Sequence, residues 1–249
     1  MTETLNIQVQ PQAIETQPIP TTREEKLHDL MPYDYEFAEE KGLIDMFVYD
    51  PDTGEDGLIH TLAGDVRTGA NDEQMVEGFH HEPSGGIVEP YSTVDREHLE
   101  GLNSKKRVAF KEFPLEPYNA KVAIHGLRKH VIREDPVTGE VTKGEAKNSM
   151  YPKDYDPLAV LQSIRIAKES RDVSQDQDSM DDRGRHVKVA IGQAPLMDGQ
   201  SSMNIRLVMD TNPDPQQRKI YTAIPIVPQR PGVMRLDQQG ADNLIYGNL

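Results

Sequence analysis

The chain is expected to fold as an α+β domain, with short antiparallel β-sheets packed on a few helices and polar, disordered tails at both ends. Three observations carry that expectation. Short β-branched runs alternate with Pro-, Gly- and Asp-rich turns along most of the sequence. One segment, 156–170, sustains a helical spacing of apolar residues. The composition is lean for 249 residues, with 36% hydrophobic, 6% aromatic, 18 Pro and 18 Gly, which suits a modest core carrying polar appendages.

Taken in order, residues 1–22 are rich in Gln, Thr and Pro without a sustained period and read as a disordered tail. They lack the basic start and long apolar stretch of a secretory signal. No run of 18 apolar residues occurs anywhere, so no membrane partner is expected and the reading is cytoplasmic. Residues 23–57 form an acidic segment: REEKLHDLMPYDYEFAEEK predicts a short helix broken at Pro32, and MFVYDPDTGEDG a strand entering a turn. The main domain is expected over 58–228. Within it, 72–77 reads as a helical turn before Gly78, 107–113 and 120–125 as strands, and VIREDPVTGEVTKG as a hairpin. The 156–170 helix has Asp156 as N-cap and Pro157 at its first position. Leu158, Leu161, Ile164 and Ala167 form its apolar stripe, broadened by Val160 and Ile166. Residues 172–185 read as a polar loop, 186–191, 203–209 and 219–226 as strands, and 229–249 as a polar tail.

The net charge of −15 argues at first against a nucleic-acid partner. Its distribution argues otherwise. Residues 1–57 hold three basic and 14 acidic side chains, whereas 103–153 hold 11 basic and six acidic ones. The acidity is concentrated in the leader, and a basic stretch lies mid-chain. An ordinary solvated surface and a polyanion-binding face both fit that pattern.

No cysteine is present, which excludes disulfides, Cys-zinc sites, iron–sulfur clusters and thiol nucleophiles. Eight histidines remain, and no H-E-x-x-H spacing occurs, so no metal ligand set is expected. A metal-dependent hydrolase would need carboxylates such as Asp65 and Glu82 to converge on the histidines. His60 and His80 stand out by context, the second just after Gly78-Phe79 in GFHHEP. Two histidines brought together can serve as base and acid near neutral pH. Cleavage of RNA through its 2′-hydroxyl needs such a pair, plus a cation for the charge that builds on the phosphate.

The order of His60, Gly78-x-His80, a Lys before an NSMYP turn, a helix and then KIYTAIPIVP resembles the bacterial EndoU ribonucleases, found as toxin domains of polymorphic and contact-dependent inhibition systems. The resemblance spans roughly 58–228. It implies a single-strand endoribonuclease acting often at uridines and leaving 2′,3′-cyclic phosphate and 5′-hydroxyl ends. By it, His80 is the general base, His60 the general acid and Lys147 the phosphate-binding cation, with Ser149 and Thr222 bonding phosphate or base. Where the family often carries an aromatic two residues after the threonine, this chain has Ile224; Tyr221 or Tyr151 would then stack the base. His81 follows His80 directly, and sequence leaves the choice between them open. The chemistry requires no cofactor, although some relatives are stimulated by manganese (Mn2+). The implied partners are RNA and a cognate immunity protein. A catalytically inactive relative that binds RNA or protein, or a structural module, is the competing reading.

Overall fold

The computed structural model describes residues 22–68, 74–81, 87–89, 108–113, 117–125, 128–152, 155–181, 183–197 and 201–226. The architecture is α+β, as the sequence predicts, and both expected tails lie outside these residues, apart from Thr22. Helices α1 (Arg23–Leu30) and α2 (Tyr35–Glu40) flank the Pro32 break. Thr22 caps α1 through a capping box with Glu25. The short strands β1 (Tyr49–Asp50) and β2 (Glu55–Asp56) then lead into helix α3 (Gly57–Ala63).

The acidic segment is not an appendage. Leu27, Met31, Ala38, Leu43 and Phe47 share one buried cluster with Leu58, Leu62, Leu161, Leu207 and Ile220. The expected boundary after residue 57 therefore runs through a common core, because α1 and α2 are amphipathic and have only that core to cover them. Within the segment, Arg23 reaches Asp56, the N-cap of α3, at 2.5 Å.

Two larger sheets follow. Strands β5 (Ile87–Glu89), β6 (Val108–Phe113), β7 (Ala120–His125), β8 (Arg128–Glu134) and β9 (Val141–Lys147) form an antiparallel meander in that order. The predicted hairpin is β8–β9, with Arg128 opposite Lys147 and Lys129 opposite Ala146. Strands β10 (Gln177–Met180), β11 (His186–Pro195), β12 (Ser202–Met209) and β13 (Ile220–Ile226) form the second, also antiparallel. Helix α4 (Pro157–Ser170) packs on this second sheet, its Asp156 cap accepting from the Ala159 amide. Its buried stripe is Val160, Leu161, Ile164 and Ala167. Ile166 lies 40% exposed, since it falls off the face that Leu161 and Ile164 present.

Two expectations are corrected. Of the residues read as a helical turn, 74–77 form strand β4 (Gln74–Glu77), paired with β3 (Asp65–Thr68). Strand pairing puts Val76 in a second small core with Phe79, Phe113, Ala120 and Val122. The polar loop at 172–185 contains a 3-10 turn at Val173–Gln175 and the edge strand β10. Asp176, with its side chain 2% exposed, anchors that stretch between Arg171 and Arg218. Asp181, Arg183 and Arg185 of the same segment also take part in ion pairs.

Candidate active site

Helix α3 begins because Asp56 accepts from the Leu58 and Ile59 amides at 2.9 and 3.0 Å. Leu58 and Leu62, one turn apart, are fully buried in the main core. His60 sits about 200° round the helix from Leu58 and therefore faces away from that core, towards the β3–β4 hairpin. Its Nδ1 lies 2.9 Å from Asp65 Oδ1.

A helix leaves its last carbonyls without intrahelical donors. Here the chain leaving β4 supplies them. The amides of Phe79, His80 and His81 donate to the carbonyls of His60, Thr61 and Leu62 at 3.1, 2.9 and 3.3 Å. This one set of bonds brings the two histidines of the sequence reading together. To run there, the chain takes two consecutive left-handed residues, Gly78 (φ 66°) and Phe79 (φ 67°). A Cβ on Gly78 would stand 1.9 Å from the His60 carbonyl oxygen, so only glycine fits. Phe79 is held in its strained conformation by complete burial of its ring, edge-on to Phe113.

His80 is 5% exposed and its Nδ1 lies 2.8 Å from the Ser149 carbonyl. A carbonyl only accepts, so Nδ1 carries the proton and Nε2 the lone pair in the neutral ring. Burial, opposed by the bond to Ser149, and the positive charges of His60 and Lys129 push the ring down to about 3. His80 is thus a neutral imidazole with its lone pair on Nε2. His60, 8% exposed, differs in bonding its Nδ1 to a carboxylate. His81 is fully buried with Nε2 2.9 Å from the Tyr155 carbonyl, and burial lowers its pKa. Of the adjacent pair, His80 is the one beside His60.

The remaining candidates are placed less uniformly. The side chain of Lys147 lies outside the described residues; its backbone ends β9, two residues before the Ser149 carbonyl that holds His80. Ser149 and Tyr151 are buried, and their hydroxyls donate to β13, to the carbonyls of Pro225 (2.5 Å) and Ala223 (3.2 Å). The Tyr151 amide donates to the His80 carbonyl at 2.8 Å. Both residues therefore brace His80 against the last strand rather than presenting a hydroxyl or ring to a ligand. Thr222 Oγ1 is buried and has no hydrogen-bond partner among the described residues. Tyr221 is half-buried, with the Arg185 guanidinium 4.1 Å above its ring.

Four charged residues of the cluster were not assigned a role from sequence. Asp65 holds His60. Glu77 lies close by, and donor atoms of His60, Asp65 and Glu77 come within 4.8 Å of one another. Glu82, the other carboxylate considered for a metal-dependent hydrolase, lies outside the described residues. Arg183 reaches Glu77 at 3.7 Å and Glu55 at 3.1 Å. Lys129, 7% exposed, donates to the Val76 carbonyl at 2.6 Å and feels the charges of Glu77 and Asp65. Among the described residues, Lys129 and Arg183 are thus cations that Asp65 and Glu77 meet, with Arg183 shared with Glu55. The readable signal for Lys129 was alternation. Lys129, Val131 and Arg133 share one face of β8, and Val131 packs on the small core.

No family model, curated protein or solved structure matches the chain. Among the described residues, no helix is long and apolar enough to cross a membrane.

Proposed function

We propose that the protein is an endoribonuclease that cleaves single-stranded RNA by transesterification, in the manner its sequence resemblance to the EndoU ribonucleases implies. One observation carries the reading: His60 and His80 lie on segments tied together by backbone hydrogen bonds, with their Nδ1 atoms bonded to chemically different acceptors. That difference separates a base from an acid. His80 Nε2 takes the proton of the 2′-hydroxyl as that oxygen attacks phosphorus. The step requires a protonated His60, held by Asp65, which gives its Nε2 proton to the departing 5′-oxygen as the P–O5′ bond breaks. The products are a 2′,3′-cyclic phosphate and a 5′-hydroxyl. The approaching phosphate supplies the negative charge that makes the buried His80 ring more basic than it is alone. Lys147 is the proposed cation for the phosphate, with Tyr221 and Thr222 on the base side.

Acid, base and cation are all side chains, so cleavage is expected in EDTA. The experiment is incubation of purified protein with a uridine-containing oligonucleotide in EDTA, with product ends identified and H60A and H80A as controls. Cyclic phosphate ends from wild type alone support the reading. Equal cleavage by wild type and H80A overturns it, and a folded wild type that binds RNA without cutting it would favour the inactive relative.

A further inference from the structure

Lys129 is a buried ammonium with one hydrogen bond to a backbone carbonyl. Taking such a charge out of water costs several kcal/mol unless opposite charges offset it. The carbonyl it reaches belongs to Val76, a member of the small apolar core, and a buried apolar side chain would avoid the cost of the charge. A tie between β8 and β4 therefore does not explain a lysine here. Its charge does have opposite charges to act on: Glu77 and Asp65 are the two carboxylates that influence it. Asp65 in turn holds His60.

We propose that Lys129 is a positioning residue of the histidine pair: an internal counter-cation that keeps Asp65 and Glu77 in one compensated cluster, so that Asp65 stays on His60 Nδ1 and the His60 ring keeps its orientation beside His80. The inference rests on the proposed roles of those histidines. Without the ammonium, two carboxylates at close range repel and also compete for the ring and for Arg183. The charged and titratable groups facing the pair are His60 from α3, Asp65 from β3, Glu77 from β4, Lys129 from β8 and Arg183 from the β10–β11 turn. Tyr151 is adjacent through its backbone, its phenol bonded to Ala223.

The test separates the charge from the tie. K129R keeps the charge, and K129Q keeps a donor for Val76 without it. Histidine ring titrations by NMR and pH–rate profiles on a uridine-containing oligonucleotide are read on the full chain. K129Q is expected to titrate His80 at higher pH, because a like charge is gone, and to lose up to about 100-fold in kcat with KM little changed, the scale of a misplaced catalytic group. K129R is expected to restore both. A folded K129Q with wild-type titrations and an unmoved pH profile overturns the proposal. If K129Q does not fold, K129M/E77Q carries the test: with the ammonium and one carboxylate both gone, Asp65 keeps His60 and a kcat near wild type is expected; a loss of about 100-fold in that folded variant overturns the proposal. Absence of cleavage by wild type would count against the ribonuclease reading alone, since the histidine titrations still decide the role of Lys129.

Discussion

The Nδ1 of His80 lies 2.8 Å from the carbonyl oxygen of Ser149, a residue 69 positions further along the chain. That bond fixes the tautomer and leaves Nε2 as the ring's one basic atom. Replacing His80 with Gln removes the proposed base, and a loss of about 10²–10⁴-fold in cleavage rate is expected. H60Q is expected to lose a similar factor. A rate in either variant within threefold of wild type, measured with the variant shown to be folded, removes that residue from the mechanism.

The same burial links stability to pH. His80 is depressed to about 3 in the folded protein, against an ordinary value of 6.5. Above pH 6.5 the ring is neutral in both states, and its contribution is fully present. Between 6.5 and 3 the unfolded chain takes up a proton that the folded one refuses, so stability falls as pH falls, by about 1.4 kcal/mol per pH unit. His81, shifted in the same direction by burial, adds to the trend. Urea unfolding at pH 7 and pH 5 should show a smaller loss in H80Q than in wild type. Parallel losses in the two proteins would contradict the depressed ring.

His81 provides the internal control for its neighbour. Its ring is fully buried and bonded to the Tyr155 carbonyl, so H81A leaves a cavity and an unpaired acceptor. A destabilisation of about 2–4 kcal/mol is expected, with the folded fraction still cutting RNA. Should H81A stay stable and lose cleavage, the assignment of the two histidines is reversed.

Gly78→Ala tests the backbone device that joins the two histidines. The new Cβ would meet the His60 carbonyl oxygen at 1.9 Å, at φ 66°, and the chain must move off α3 to admit it. A loss of at least about 3 kcal/mol in thermal or denaturant unfolding is expected, together with cleavage. A variant as stable as wild type would mean that the 78–81 turn is not docked as described.

Tyr151→Phe distinguishes bracing from substrate contact. The hydroxyl is buried and donates to Ala223, so its removal should cost about 1 kcal/mol of stability and leave KM for the oligonucleotide unchanged. A raised KM at unchanged stability would return Tyr151 to the substrate side.

The local elements were legible where a short-range rule acted alone. Asp156-Pro157 announced α4, and the Asp-Pro and Thr-Gly turn announced β8–β9. Helix α3 was not legible, since seven residues give too few turns for a period. Its cap, Asp56, was lost in a run of acidic residues. The histidines were found through spacing relative to Gly78, and the structure supplies the reason: that glycine is where the chain touches His60. Ser149 and Tyr151 looked like ligands because hydroxyl groups near a candidate site carry no mark of their partner. Their acceptors in β13 lie more than 70 residues away in sequence, and only tertiary structure reveals that their donors are used. Lys129 was overlooked for a related reason: in a basic stretch, only its alternation with Val131 on β8 sets a buried lysine apart from a solvated one.

The bracing by β13 has a consequence for the birth of the protein. Ile220 follows His80 by 140 residues, yet β13 holds the Ser149 and Tyr151 side chains that brace His80, and its Ala223 amide rests on Thr61 beside His60. A chain emerging from a ribosome exposes both histidines long before the strand that steadies them. If the proposed substrate is RNA, the translation machinery is within reach during that interval, and a site completed only by a late strand keeps the nascent chain harmless to the message that encodes it.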